Sequence, residues 1–404
     1  MKTLRMGLRV SCVMLLLTLC VLVSAWADET KGDAKILKIG AIVTVTGPAA
    51  AGLKDMADAT GPAEENFNSK GGVTVAGQKY NIKIIAEDDQ SNPQGALAAA
   101  NKLISRDEVK FILAPIIPQN NIAISPLCEK AKVIHVRFHG VGGKEEINPD
   151  LHYSFASYMN LYNAPFAYDY LVKNYPQVKK VAIIPVDDPG GVIGSEFGEK
   201  AAKAHGLQVV AKQFYPFDTQ DFNPILTKVL DKKPDAIDIS VGIVVWGAGI
   251  INAARELGFK GPIFAPTPLG DMDVLASMIK GGPQAAHDIF ITAPDMHSPK
   301  MTPMIKEIVP LLEKRLKTRA RMDHTIPFET LVLLLSAIEK AQSLDTEKVV
   351  KAWENMKEID TIFGKGRMGG KDLFGINHVV IRPVPLSRIV NGKVEHVGFF
   401  EKKD

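Results

Sequence analysis

The stretch that decides the fold runs from Ile84 to Ile104 and has the sequence IIAEDDQSNPQGALAAANKLI. Its first residues continue an apolar, β-rich run, and its second half is an alanine-rich segment typical of a helix. Between the two parts, Asn92 is a residue type that caps helices, and Pro93 suits the first helical turn. The stretch therefore predicts a strand, a short acidic turn and a helix, which is one unit of an α/β sheet.

The same alternation recurs along the chain. Apolar runs predict strands at 37–43, 81–86, 110–114, 133–138, 180–186, 208–214, 236–241, 263–265 and 289–292. Helical patterns between them cover 55–69, 93–105, 120–130, 164–174, 193–205, 224–230, 246–257 and 272–280. From about Met301 we expect three helices and then short strands near 362–364, 378–383 and 393–399. Many strands are continuously apolar, as in parallel sheets covered on both faces, so we predict two doubly wound sheets.

The first residues have the composition of a cleavable export signal. Lys2, Arg5 and Arg9 precede an apolar run that is too short for a membrane helix of about 20 residues, and small residues follow at Ala25 and Ala27. We predict that residues 1–27 are removed and that the protein is periplasmic. The three basic residues account for the whole formal net charge of +3, so the remaining chain is neutral and nucleic-acid binding is disfavoured.

Removal of that segment has a further consequence for the cysteines. Of the three cysteines, only Cys128 lies outside residues 1–27, which excludes an intramolecular disulfide in the mature chain. Cys128 falls in a predicted helix, where a buried structural thiol is the expected role.

The turn after the first predicted strand resembles a phosphate loop but departs from it. It runs from Val43 to Asp55 as VTVTGPAAAGLKD. A phosphate loop needs lysine directly after its last glycine and then Ser or Thr, whereas here a leucine precedes Lys54 and an acid follows it. Two interpretations remain: Thr46 and nearby amides bind a neutral group or one carboxylate at a helix start, or Gly47 only shapes the turn.

Other chemical motifs are weak. His135 and His139 are four residues apart in a strand-to-loop pattern, so they do not have the helical spacing of a zinc site. No Gly-x-Ser-x-Gly nucleophile motif occurs in the sequence. The acid pair at Asp187 and Asp188 follows a strand beside a glycine-rich loop, where it either faces a ligand or caps a helix. We therefore expect no cofactor, no metal and no enzymatic activity.

Aromatic residues also occupy predicted strand ends. Trp246 follows a strand at the start of a helix, and Phe138 with His139 occupies the corresponding position in the first half. Tyr158 and Tyr162 lie in a predicted crossing between lobes. These side chains either line an apolar pocket or pack in the core.

Six segments resemble the leucine/isoleucine/valine-type periplasmic binding proteins of ABC transporters: LKIGAIVTVTGPAAAG, IIAEDDQSNPQGALAAANKLI, VKFILAP, AISPLCEKAKV, QDFNPILTKVLDKKPDAIDIS and INAARELGFKGPIF. The resemblance implies a type I fold with two doubly wound lobes that close on a ligand about a three-segment hinge. It implies a first lobe of 36–157 plus 293–361 and a second of 158–292 plus 362–404. The crossings are then expected near 156–160, 292–295 and 361–364.

The resemblance also implies which residues contact the ligand, because these proteins bind at loops following the strands. The residues so implied are Thr46, Gln119, Asn120, Phe138, His139, Gly140, Tyr158, Asp188, Ile243, Trp246 and Thr267.

The departures from the family pattern bear on the ligand. Members that bind α-amino acids often place an acid on the ammonium from the loop that is APTPLG here, and Thr267 cannot supply that charge. An unpaired buried ammonium is unfavourable by several kcal/mol. Arg137 and His139 are candidates to meet a carboxylate. We therefore expect a mainly apolar or aromatic organic acid, or an amide, although Asp187 or Asp188 could replace the missing acid.

The expected function is a periplasmic receptor that delivers a small molecule to the membrane subunits of an ABC permease, without a membrane span of its own. Three alternatives remain: a sensor that reports to a signalling partner, a secreted enzyme on the same scaffold, and a transcription repressor with a similar core. The last is disfavoured by the export signal and by the lack of a helix-turn-helix pattern.

Overall fold

The computed structural model describes residues 34–138, 143–240 and 242–401. The predicted signal segment 1–27 and the predicted ligand residues His139 and Gly140 lie outside the described residues.

The first lobe begins with alternating strands and helices. They are β1 (Lys35–Val43), α1 (Ala50–Ser69), β2 (Val73–Val75), β3 (Gln78–Asp88), α2 (Pro93–Ser105), β4 (Phe111–Ala114), α3 (Pro118–Ala131), β5 (Ile134–Arg137) and β6 (Ser154–Ala156). The unit 84–104 forms as its sequence predicts: β3 ends in the acidic turn, and the Asn92 side chain caps α2 by accepting from Gly95 N at 2.8 Å. Strand β3 begins earlier than predicted because it also pairs with β2 in a hairpin.

The second lobe repeats the pattern. A 3₁₀ turn (Asn160–Asn163) leads into α4 (Ala164–Asn174), β7 (Lys180–Ile183), α5 (Pro189–Ala204), β8 (Gln208–Lys212), α6 (Asn223–Leu230), β9 (Ala236–Asp238), α7 (Val244–Glu256), β10 (Ile263–Ala265), α8 (Met272–Met278) and β11 (Ile289–Ile291).

The last third of the chain serves both lobes. It contains α9 (Pro303–Leu316), α10 (Met322–Ala341), α11 (Thr346–Glu354), β12 (Ile359–Thr361), β13 (Gly364–Gly369), α12 (Lys371–Phe374), β14 (Val379–Ile381), β15 (Val384–Val390) and β16 (Lys393–Phe400). Helix α10 is almost entirely buried and lies in the largest apolar core, where each fully buried leucine contributes about 1.5–3 kcal/mol. Within the described residues, no helix is both long and apolar enough to cross a bilayer.

The strands form two mainly parallel sheets with apolar clusters on both faces, so the predicted doubly wound architecture is confirmed. The first sheet has the order β12-β13-β14-β6-β5-β4-β1-β3-β2, and the second has the order β16-β15-β11-β10-β9-β7-β8.

The chain passes from the first sheet to the second after β6, returns after β11, and passes again between β14 and β15. The third passage differs from the expected one near 361–364. That segment is the turn of the β12–β13 hairpin, and β13 and β14 both belong to the first sheet. The residues from 362 to 381 were therefore assigned to the wrong lobe, because short strands such as β13 and β14 do not show in their sequence which sheet they join.

Candidate ligand-binding site

The predicted ligand residues follow the carboxyl ends of strands in both sheets, and the space between these two sets of strand ends is called the predicted cleft below. Open α/β sheets bind ligands at this edge. The second-lobe helix α5 reaches the boundary, because Ile193 in its first turns packs against an apolar cluster that includes the first-lobe residues Ile147 and Phe374. A second contact joins the lobes through Arg319, which precedes α10, and Asp273 in α8, at 2.5 Å.

In the first lobe, the turn after β1 is held by Asp88 at the end of β3. Its carboxylate accepts from Val45 N at 2.9 Å, Thr46 N at 3.3 Å and Thr46 Oγ1 at 2.5 Å. Burial alone would raise the pKa of Asp88, but the hydrogen bonds from Thr46, Val45 and Gln90 prevail and lower it. Thr46 remains exposed at the cleft edge, but its amide and hydroxyl protons are donated to Asp88. Gly47 has φ +89°, a conformation that favours glycine.

The next first-lobe loop also directs its polar groups inward. Asn120 is fully buried and donates from Nδ2 to Asp89 Oδ2 at 2.8 Å, whereas Gln119 beside it is exposed. Phe138, another predicted ligand residue at a strand end, is buried in the apolar core of the first lobe. The first-lobe edge therefore presents Thr46 and Gln119, with Asn120 and Phe138 behind them.

Arg137 does not face the cleft, contrary to the expectation that it meets a ligand carboxylate. Its Nη1 lies 2.8 Å from Glu146 Oε1, and both side chains are 1% exposed. Asn121 donates to the other oxygen of Glu146 at 3.0 Å. Burial lowers the pKa of Arg137 and raises that of Glu146, and each charge opposes the shift of the other. Sequence reasoning missed Glu146 because it lies beyond the loop that follows β5.

The second-lobe edge is apolar and aromatic. Ile243 and Val245, which flank the start of α7, are each 48% exposed, and Phe217 is 66% exposed. The Phe217 ring meets Trp246 edge-on, with centroids 4.8 Å apart, and Tyr215 also meets Trp246 edge-on at 5.7 Å. Trp246 therefore belongs to an aromatic cluster, and Ile243 lies three residues before it in the chain. Phe217 was missed because it lies in a loop after β8, outside the segments that carry the family resemblance.

Two further predicted residues of this lobe have internal hydrogen bonds. Asp188 caps α5 by accepting from Gly191 N at 2.6 Å, and it is half-buried. Thr267 is buried and donates from Oγ1 to the Ser240 carbonyl at 2.6 Å. Asp187, by contrast, is exposed.

Tyr158 belongs to the hinge. It is 3% exposed and donates to Asn163 Oδ1 at 2.5 Å, and Asn163 in turn donates to Thr292 Oγ1 at 3.0 Å. The Arg382 guanidinium, in the third crossing, stacks 3.7 Å from the centre of the Tyr158 ring and pairs with Glu329 of α10 at 2.5 Å. These contacts connect all three chain crossings.

The remaining chemistry of the described residues is sparse. Across 34–138, 143–240 and 242–401, no three His, Cys, Asp or Glu side chains are grouped to hold a metal ion. Cys128 is buried in α3, and burial, with a smaller contribution from Glu129, raises its thiol pKa to about 12. Such a thiol is not activated as a nucleophile at neutral pH.

Sequence comparison identifies the class to which this architecture belongs. The chain belongs to the periplasmic binding protein family, which matches residues 36–393. A Leu/Ile/Val-binding protein homologue of Brucella suis is 26% identical over 361 residues, covering 82% of this chain and 84% of that protein.

Solved structures with the same fold extend the comparison. The leucine-binding protein LivK of Thermotoga maritima superimposes with a TM-score of 0.73 at 22% identity, covering 90% of this chain and 99% of that one. A solute-binding protein of an ABC transporter from Rhodopseudomonas palustris, in complex with 3,4-dihydroxybenzoic acid, gives a TM-score of 0.72 at 24% identity, covering 91% and 97%. The predicted type I fold and family are thereby confirmed.

Proposed function

We propose that this protein is the receptor of an ABC importer that carries a small, mainly apolar organic acid, with an aromatic acid as the favoured ligand. The observation that carries the proposal is the exposed second-lobe edge formed by Phe217, Ile243 and Val245 over Trp246. Exposed aromatic and aliphatic side chains at a cleft are suited to cover the apolar body of a ligand.

The charges at the cleft support an acid over an α-amino acid. Asp88 and Asp188 are both hydrogen-bonded to backbone amides of their own lobes, and the loop from Ala265 to Gly270 contains no acidic residue. An ammonium group would depend on Asp187, which is exposed. The helices α3 and α7 begin without a side-chain cap, at Ile117 and Ile243, so amides at their N-termini are suited to a carboxylate.

A thermal-shift panel tests the ligand class. Benzoate, 4-hydroxybenzoate, 3,4-dihydroxybenzoate, leucine and valine are compared at equal concentration. Binding at 100 times Kd stabilises the folded state by about 2.7 kcal/mol, which a melting curve resolves. We expect stabilisation by the aromatic acids. Stabilisation by leucine and valine alone would show that the ligand is an amino acid, and loss of that effect in Asp187→Asn would identify the acid that binds the ammonium.

Transport is tested separately from binding. Deletion of the gene is expected to abolish uptake of the radiolabelled ligand, and re-expression of the protein is expected to restore it. Unchanged uptake in the deletion strain would contradict a transport role and favour the sensory alternative.

A further inference from the structure

Asp238 is a buried acid, and its hydrogen-bond partners among the described residues include no basic side chain. It is the last residue of β9 and is fully buried. Its Oδ2 accepts from Tyr168 Oη at 2.7 Å, and its Oδ1 accepts from Ser240 N at 2.5 Å. Burial, opposed by these two hydrogen bonds, raises its pKa to about 7. Because burying a carboxylate without a cation is unfavourable, its presence needs a structural reason.

The reason lies in the loop that Asp238 holds. Ser240 has φ +63°, a left-handed conformation that non-glycine residues seldom adopt. The hydrogen bond from Ser240 N to Asp238 fixes that conformation. The Ser240 carbonyl then accepts from Thr267 Oγ1 at 2.6 Å, so one carboxyl group ties together the loops after β9 and β10. Both loops border the second-lobe edge of the cleft.

The same loop continues to the aromatic contact surface. A Cβ atom built on Gly242 would lie 3.3 Å from Tyr215 Oη and 3.8 Å from Trp246 Cε3. Gly242, two residues after Ser240 in the chain, therefore lies beside the Tyr215 hydroxyl and the Trp246 ring. The loop after β10 is also held from the hinge, because Thr292 Oγ1 donates to the Pro266 carbonyl at 2.5 Å.

The described elements that pack around Asp238 contribute few other titratable side chains. Helix α4 contributes Tyr168, whose pKa is raised well above its usual value by burial and by Asp238, so its hydroxyl remains a donor. Helix α5 contributes Gly198, where a Cβ would lie 2.9 Å from Asp238 Oδ2. The titratable groups near Tyr168 are Glu199 on α5 and His205, which directly follows this helix. The adjacent strands β7 and β10 contribute the apolar Ile183 and Phe264.

We propose that Asp238 is a positioning residue: its carboxylate holds the two second-lobe ligand loops in their binding conformation, and its protonation loosens them and weakens ligand binding. A charged acceptor makes stronger hydrogen bonds than a neutral one, so the loops are best ordered when Asp238 is ionised. The effect on affinity rests on the proposed function, whereas the effect on the loop does not.

The loop is tested without ligand by ¹⁹F NMR of the full chain labelled with 5-fluorotryptophan. The Trp246 line, assigned with Trp246→Phe, is expected to titrate between pH 5 and pH 8 in the wild type and to lose this titration in Asp238→Asn. The Trp353 line reports on the first lobe and is expected to behave identically in the wild type and in Asp238→Asn. Asp235→Asn, directly before the start of the same strand, is the matched control and keeps the titration. A Trp246 line that does not move, or that moves equally in Asp238→Asn, overturns the proposal.

Affinity is measured with the panel acid that gives the largest thermal shift. We expect wild-type binding to weaken about fivefold from pH 8 to pH 5.5, as a charged hydrogen bond becomes neutral. Asp238→Asn is expected to bind at both pH values as the wild type does at pH 5.5. A variant that binds as the wild type does at pH 8 contradicts the proposal. If no panel acid binds, the proposed ligand class is wrong, but the NMR titration still decides the role of Asp238.

Discussion

The two edges that face each other across the cleft differ in how they use polar residues. In the first lobe, Asp88 and Asp89 are hydrogen-bonded within the lobe, and Asn120 is buried behind the surface. In the second lobe, exposed apolar side chains at Phe217 and Ile243 form the edge. We expect the uncapped amides at the start of α3 and α7 to receive the polar end of a ligand, while Phe217 and Ile243 of the second lobe cover its apolar body. Substitutions in the first lobe should therefore mainly affect stability, and substitutions at the second-lobe edge should mainly affect ligand binding.

The largest expected effect is on stability and comes from the first lobe. Glu146→Ala leaves the Arg137 guanidinium buried without its carboxylate, which should lower the free energy of unfolding by about 3–5 kcal/mol. Denaturant unfolding measures it. The matched control is Glu395→Ala, which breaks an exposed pair with Arg388 and should cost at most about 1 kcal/mol. Equal effects of the two variants would contradict this account of the first-lobe core.

The second expected effect is on binding and comes from the second lobe. Phe217→Ala should weaken binding of an aromatic acid about tenfold, since a truncated contact residue of this kind costs about 1–2 kcal/mol. Its stability should stay within about 0.5 kcal/mol of the wild type, because Phe217 is 66% exposed. Isothermal titration measures the affinity, with Leu257→Ala as control, because Leu257 is 42% exposed and follows α7 at the end opposite to Ile243. A large loss of stability without weaker binding would assign Phe217 to the fold instead of the site.

A smaller effect is expected at Asp88, and it depends on pH. Because the folded-state pKa is lowered, the ionised carboxylate stabilises the protein above its usual pKa, and this contribution is lost as the pH falls through the folded-state value. Asp88→Asn should thus be less stable than the wild type at pH 7, with the difference shrinking towards pH 3. Thermal unfolding across that range measures it. A difference that grows on acidification would contradict the sign of the shift.

The smallest effect is expected at the ion pair between the lobes. Arg319 and Asp273 are 57% and 44% exposed, so their interaction should be worth about 0.2–1 kcal/mol. If the pair favours the closed form, Arg319→Ala should weaken ligand binding less than about fivefold at low salt and not at all at high salt. Equal ligand affinities of the wild type and Arg319→Ala at low salt would show that the ion pair is present in both the open and the closed form.

Much of the fold follows from local sequence. The unit from Ile84 to Ile104 shows why, since the apolar run, Asn92 and Pro93 each act on neighbouring residues and need no distant contact. The assignment of β13 and β14 failed for the opposite reason, because strand pairing is a long-range property. For the site, the family pattern points to strand ends such as Ile243 and Trp246, and that assignment stays a prediction.

What the sequence determined by itself is the doubly wound class, the family and the chemical types at the strand ends. What only the tertiary structure decided is which of those groups are already satisfied within the protein. Arg137 is paired with Glu146, Thr46 with Asp88, and Thr267 with Ser240. The physical reason is that a buried or half-buried polar group takes the partner that folding brings closest, and that partner can lie anywhere in the chain.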